Sequence, residues 1–245
     1  VFFSRFYIQE TFLLFFMAGT ITSGWRYYRR PSSSWAITAG LFAGLMYATK
    51  ETYIILFGAM AGALTLLLLF ERNNFKKSEV GRRFSFRHFL FFVGAAAVVA
   101  FVFYSSFFEN LSGPIESVLA YKNYFSRAGS GGIHSHPWYY YIQMLSFFHI
   151  QPGPYWSEIV ILILALIGGA AGFIRNKNGE KTSILIRFIF FFTLLSLAIY
   201  SSVSYKSPWN LLPFHFGFIL LAGYGASFLI NLSKKIWIKI GVVVP

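Results

Sequence analysis

Apolar residues run almost unbroken through residues 6–25, 35–49, 53–70, 89–108, 159–174, 184–203 and 211–232, and charged or turn-forming residues separate the runs. A helix needs about 20 apolar residues to cross the hydrocarbon core of a bilayer. Only helices and closed barrels satisfy their own backbone groups there. The pattern therefore predicts an all-α polytopic membrane protein with about seven transmembrane helices. The second and fifth runs have 15 and 16 residues, about 24 Å at 1.5 Å per residue. Their polar ends or a locally thin bilayer must make up the difference.

Residues 109–158 break the pattern and are expected to form a long extracytoplasmic loop. Within it, residues 115–125 are expected to form a short helix after Gly113-Pro114, and Gly129-Ser130-Gly131-Gly132 a flexible hinge. The aromatic stretch 139–150 is expected to be a helix too short to span and too apolar for water, so interfacial or re-entrant. Residues 1–245 are read as one transmembrane domain of a partial chain: it opens on Val1 and ends on a 10-residue apolar run containing Lys239.

Charge gives the orientation. Taken alternately, one set of connections holds Arg26, Arg29, Arg30, Arg72, Lys76, Lys77, Arg82, Arg83, Arg87, Arg175, Lys177, Lys181, Lys234, Lys235 and Lys239; the other holds only Arg5, Lys50, Lys122, Arg127 and Lys206. Lys and Arg crowd into cytoplasmic loops, so the first set is expected in the cytoplasm of a multi-pass protein of the plasma or inner membrane. The same bias accounts for the net charge of +13 without a nucleic-acid partner. Composition agrees: 56% of residues are hydrophobic, 12% are charged, and mean hydropathy is +0.59. The chain has no Cys, which excludes disulfides and thiolate metal sites. No P-loop, GxSxG, HExxH or dinucleotide fingerprint is present, so nucleotide-driven and simple hydrolase chemistry lack support.

The few charges on the expected outer side are the candidates for chemistry. Arg5 and Glu10 lie at the outer end of the first span, about 140° apart on a regular helix. Glu10 falls inside an apolar run and requires a cation, a polar network or a wet cleft. Thr49-Lys50-Glu51-Thr52 joins the second and third spans, and a lysine there offers a point charge suited to phosphate. Lys206, in Ser204-Tyr205-Lys206-Ser207-Pro208-Trp209, repeats that placement. His134 and His136 would share a divalent metal only in an extended or turn conformation, with a carboxylate such as Glu51 or Glu109 joining them. His149 and His215 read as structural. All eight acids are Glu.

In order along the chain, Arg5…Glu10, Gly40-x3-Gly44-Leu45-x2-Ala48-Thr49-Lys50, His136-Pro137-Trp138-Tyr139-Tyr140-Tyr141 and Lys206-Ser207-Pro208-Trp209-x-Leu211-Leu212-Pro213 resemble motifs of the GT-C membrane glycosyltransferases. That superfamily includes protein mannosyltransferases, lipid A aminoarabinose transferases and a prokaryotic branch named after an archaeal flippase-associated glycosylation protein. The resemblance implies transfer of a sugar from a polyprenyl-phosphate donor to an acceptor outside the cytoplasm, with inversion at the anomeric carbon and no required cofactor. By it, Lys50 holds the lipid phosphate, with Arg5 and Lys206 sharing that charge. Glu10 and Arg5 serve the catalytic side, and His134, His136, Tyr139 and Glu51 the acceptor side and closing loop. The superfamily's principal acidic motif would precede Val1. The competing expectations are an accessory subunit working with other membrane subunits, or a lipid or sugar transporter or flippase.

Overall fold

A computed structural model describes residues 8–71, 85–128, 135–149, 155–174 and 180–232. They form α1 (Gln9–Arg29), α2 (Ser33–Thr49), α3 (Tyr53–Phe70), α4 (Phe86–Tyr104), α5 (Gly113–Ala128), α6 (Tyr140–Ser146), β1 (Phe148–His149), β2 (Tyr155–Trp156), α7 (Ile159–Phe173), α8 (Glu180–Ser202), a 3₁₀ turn (Pro208–Leu211) and α9 (Leu212–Leu232). Each of the seven apolar stretches carries a helix among its described residues, the fourth ending at Tyr104. Four of the described helical segments are long and apolar enough to cross a membrane: Tyr53–Phe70, Phe86–Tyr104, Ile184–Ser202 and Pro208–Leu232. The chain divides into two compact units, Val1–Gly58 with Leu68–Gly132, and Ala59–Leu67 with Ile133–Pro245.

In the first unit α2 packs against both α1 and α4. Helix α1 buries Glu10, Leu13 and Met17, spaced to fall on one face. Helix α2 starts where the Ser32 side chain accepts a hydrogen bond from the Trp35 amide at 3.3 Å, an N-cap that satisfies one orphan donor. Its buried face is made of Ala36, Ala39, Gly40, Ala43, Gly44 and Met46. A Cβ on Gly40 would lie 2.2 Å from the Phe92 carbonyl oxygen, and one on Gly44 would lie 2.7 Å from that of Ala96. The α2 and α4 backbones thus meet through a small-xxx-small seam, the usual solution where lipid removes the hydrophobic drive between helices.

After α4 the chain turns through Ser106, Phe107 and Phe108, all at positive φ (50°, 59° and 78°). Non-glycine residues there cost free energy. The Phe107 amide offsets it by bonding Val102 O at 2.9 Å, the Asn110 amide Ser105 O at 2.8 Å, and the Phe108 amide the Ser105 hydroxyl at 3.0 Å. Helix α5 then starts at Gly113, where a Cβ would lie 1.9 Å from the Tyr104 carbonyl oxygen.

In the second unit α9 packs on α7 and α8. Cβ atoms on Gly168 and Gly225 would lie 1.9 Å from Leu221 O and 2.1 Å from Leu164 O, so α7 and α9 touch backbone to backbone. Gly168→Leu is expected to cost about 3 kcal/mol through overpacking against rigid main chain. Gly223→Ala, with open space around its Cβ, is expected to leave stability unchanged. Thermal unfolding of the two variants in detergent compares them; equal midpoints would contradict this seam.

Arg187 is a charge within an apolar helix. It is buried, donates from Nε to Gly172 O at 2.8 Å, and holds its guanidinium 5.8 Å from the Phe173 ring centre. A cation on the last carbonyls of α7 complements that helix's negative end.

The 139–150 helix requires correction. Among its described residues only Tyr140–Ser146 is helical, and the chain then forms β1, antiparallel to β2, with Phe148 opposite Trp156 and His149 opposite Tyr155. Aromatic residues favour strand pairing, the His149 and Tyr155 rings stack at 4.0 Å, and Pro152 and Pro154 cannot donate to a continued helix. The helix expected at 115–125 is longer than anticipated, Gly113–Ala128.

Candidate functional site

The first unit gathers its polar chemistry at the turn between α2 and α3. Lys50 ends α2 in extended conformation, and its ammonium pairs with the Glu10 carboxylate from the first turn of α1. Glu10 is 4% exposed. This pair answers the question posed by a carboxylate inside an apolar run: the cation comes from another element, 40 residues away. The turn itself is held by Tyr53 N on Lys50 O at 3.1 Å and Ile55 N on Thr52 O at 3.0 Å. Thr52 is buried, whereas Glu51 is exposed.

Four tyrosines surround this turn. Tyr47 lies 4.7 Å from Tyr53 and 4.8 Å from Tyr104, ring centre to ring centre, and Tyr53 lies 6.3 Å from Tyr121. The Tyr47 hydroxyl is 2.7 Å from the Ser117 hydroxyl. Tyr104 donates to Tyr47 O at 2.9 Å, and Tyr121 donates to Glu51 O at 3.4 Å. Burial, followed by the neighbouring Tyr53, pushes the Tyr121 hydroxyl above its ordinary range, so it stays a donor. The aromatic content of this region was visible in the sequence; its assembly from α2, α3, α4 and α5 was not.

The second unit holds Lys206. Residues Ser135 and Tyr205 form an antiparallel bridge, and the His136 amide donates to Ser204 O at 3.2 Å. The Lys206 ammonium, only 2% exposed, donates to His136 O at 3.0 Å and to Val203 O. Among the described residues no carboxylate pairs with it. Burial pushes its pKa below the ordinary lysine value. Below it, the fully buried Tyr141 donates to Ser207 O at 3.3 Å and packs edge-on against Phe214 at 5.3 Å.

The His136 ring stacks on Tyr140 at 4.1 Å and 14°. Tyr139 and Trp138 are exposed. Arg5, His134 and the Gly129–132 hinge lie outside the described residues. The metal expectation therefore has one described histidine, and among the described residues no three His, Asp or Glu side chains gather as ligands.

Three buried side-chain atoms have no hydrogen-bond partner among the described residues: Thr11 Oγ1, Ser201 Oγ and His215 Nε2. Unpaired buried polar atoms are costly and call for an explanation. Thr11 falls in the polar group around Arg5 and Glu10 and His215 reads as structural, but nothing in the sequence marks these atoms or Ser201 as unpaired, since an unsatisfied atom is a property of packing alone.

Compared with protein-family models, curated proteins and solved structures, the chain matches none. Fold and chemistry are the grounds for a functional reading.

Proposed function

We propose that this chain is a GT-C-like membrane glycosyltransferase that moves a sugar from a polyprenyl-phosphate carrier to an acceptor on the extracytoplasmic side. The observation that carries the reading is Lys206. A buried ammonium resting on two carbonyls, with no paired carboxylate among the described residues, is costly without an anion. A phosphate monoanion or diester at its remaining donor would supply that anion. In the reaction, the acceptor hydroxyl oxygen attacks the anomeric carbon, the bond from that carbon to the phosphate oxygen breaks, polyprenyl phosphate leaves with the bonding electrons, and the acceptor's proton passes to the departing phosphate or to water. A cation beside that oxygen stabilises the charge as it develops. Lys50 is the second candidate for such a role. Glu10, already tied to Lys50, acts on this reading as a positioning group.

The proposal includes seven crossings with the basic connections in the cytoplasm. Helix α1 has 21 residues, about 31 Å long. Helix α2 is shielded by α1 and α4, so its Ser, Gly and Ala content does not have to face lipid. Helix α7 has 15 residues, about 22 Å, and Arg187 caps the end that would otherwise stop inside hydrocarbon.

The Glu10–Lys50 pair favours a second reading, an accessory subunit whose cation is already neutralised. Membranes containing the full chain, supplied with radiolabelled polyprenyl-phosphate hexoses, separate the two. Sugar transfer with release of polyprenyl phosphate is expected. Carrier binding without transfer would favour the accessory subunit, and neither binding nor transfer would overturn the donor assignment.

A further inference from the structure

Helix α5 has three sides. Ser117 and Tyr121, four residues apart, face the first unit: Ser117 meets the Tyr47 hydroxyl and Tyr121 the Glu51 carbonyl. Glu116, Ala120 and Asn123 form a small, polar, exposed side. On the third side Ile115, Val118 and Leu119 are 67%, 61% and 66% exposed, and their spacing of three and four residues makes them one ridge. Lys122 is exposed beside them.

Three large aliphatic side chains on one helix ridge do not belong in water. The structure points to what covers them. Helix α5 is fixed to the end of α4 by the close approach of Gly113 to the Tyr104 carbonyl, and α4 is an apolar helix long enough to cross a membrane with none of its residues buried in the protein. Apart from the face that packs on α2, its circumference is therefore available to lipid. The connection between them exposes Phe107, Phe108 and Leu111, so one apolar surface continues from α4 into the ridge. An in-plane helix with an apolar ridge, a polar side and a flanking lysine whose stem can lie along lipid is the form taken by interfacial membrane helices.

We propose that α5 lies in the membrane plane with Ile115, Val118 and Leu119 inserted among lipid acyl chains, and that its opposite side holds the Lys50-Glu51-Thr52 turn at headgroup depth. The occupant of the ridge is the bilayer itself. The placement rests on α4 crossing the membrane and holds whatever the protein's activity.

The chain has no cysteine, so single cysteines can be spin-labelled without background. The test uses the full protein in phosphatidylcholine–phosphatidylglycerol vesicles with I115C, V118C, L119C, E116C or A120C, and V98C on the exposed face of α4 as reference. Accessibility to oxygen, which concentrates in lipid, is compared with accessibility to a water-soluble nickel chelate. The oxygen-to-nickel ratio at 115, 118 and 119 is expected to approach that at 98 and to exceed that at 116 and 120 several-fold. Nickel-dominated labels throughout α5, beside a lipid-exposed label at 98, would overturn the proposal. Exclusion of both reagents from the ridge would mean a protein partner covers it, which overturns it equally. A nickel-dominated label at 98 would remove α4 from the membrane and the proposal with it.

Discussion

Lys206→Met is expected to lower sugar transfer from a polyprenyl-phosphate donor by about 100-fold or more, the scale seen when one preorganised donor to a developing anion is removed, while the protein remains folded and inserted. The methionine keeps most of the stem volume, and the groups it leaves are the main-chain carbonyls of His136 and Val203 that held the ammonium. Burial of an unpaired charge is unfavourable, so the variant is expected to unfold at the same temperature or higher. Unchanged transfer by Lys206→Met would refute the phosphate assignment at this position.

The same lysine fixes a pH dependence whose sign can be worked out. Burial lowers the folded pKa of Lys206 below the ordinary value of 10.5. Between the lowered value and 10.5 the unfolded chain binds a proton that the folded protein has released, so stability rises with pH across that interval. Headgroup binding requires the ammonium and runs the other way, weakening across the same interval. Lys206→Met removes both slopes. Thermal unfolding and carrier binding measured from neutral to alkaline pH would show the two opposed trends in the parent protein and neither in the variant.

The second large effect concerns Glu10 and Lys50. The side chains of Lys50 and Glu10 are 19% and 5% exposed, which leaves each charge poorly solvated if its partner is removed. Breaking a buried pair from one side costs about 3–5 kcal/mol, whereas replacing both partners is often close to neutral. Glu10→Gln, where Lys50 keeps some solvent, is expected to lie near the lower end of that range, and Lys50→Met nearer the upper end. The double variant Glu10→Gln/Lys50→Met is expected to recover most of the loss in thermal unfolding. A double variant as unstable as the sum of the singles would mean that the pair contributes little. Transfer activity then separates two roles. If Lys50 also meets phosphate, the refolded double variant transfers no sugar; if the pair only ties α1 to the α2–α3 turn, activity returns with stability.

The helices were largely legible because a chain in lipid must satisfy its backbone locally, and a run of apolar residues of sufficient length leaves no other solution. The 139–150 segment was misread for a related reason. Tyr139–Tyr141 and Phe147–His149 are apolar at either period, and only the partner strand at Tyr155–Trp156 decided between helix and hairpin.

Gly40 and Gly44, which carry part of the resemblance to the GT-C transferases, are where α2 meets the α4 backbone, so packing alone accounts for them.

For this protein the sequence by itself determined the helical, membrane-type architecture and which few cations stand apart from the basic connections. Both follow from composition along short windows. Tertiary structure alone decided that Lys50 is neutralised by Glu10 and that Lys206 rests on His136 and Val203 carbonyls. The Glu10–Lys50 and His136–Lys206 contacts join residues 40 and 70 positions apart. Packing geometry brings them together, and local composition carries no trace of it.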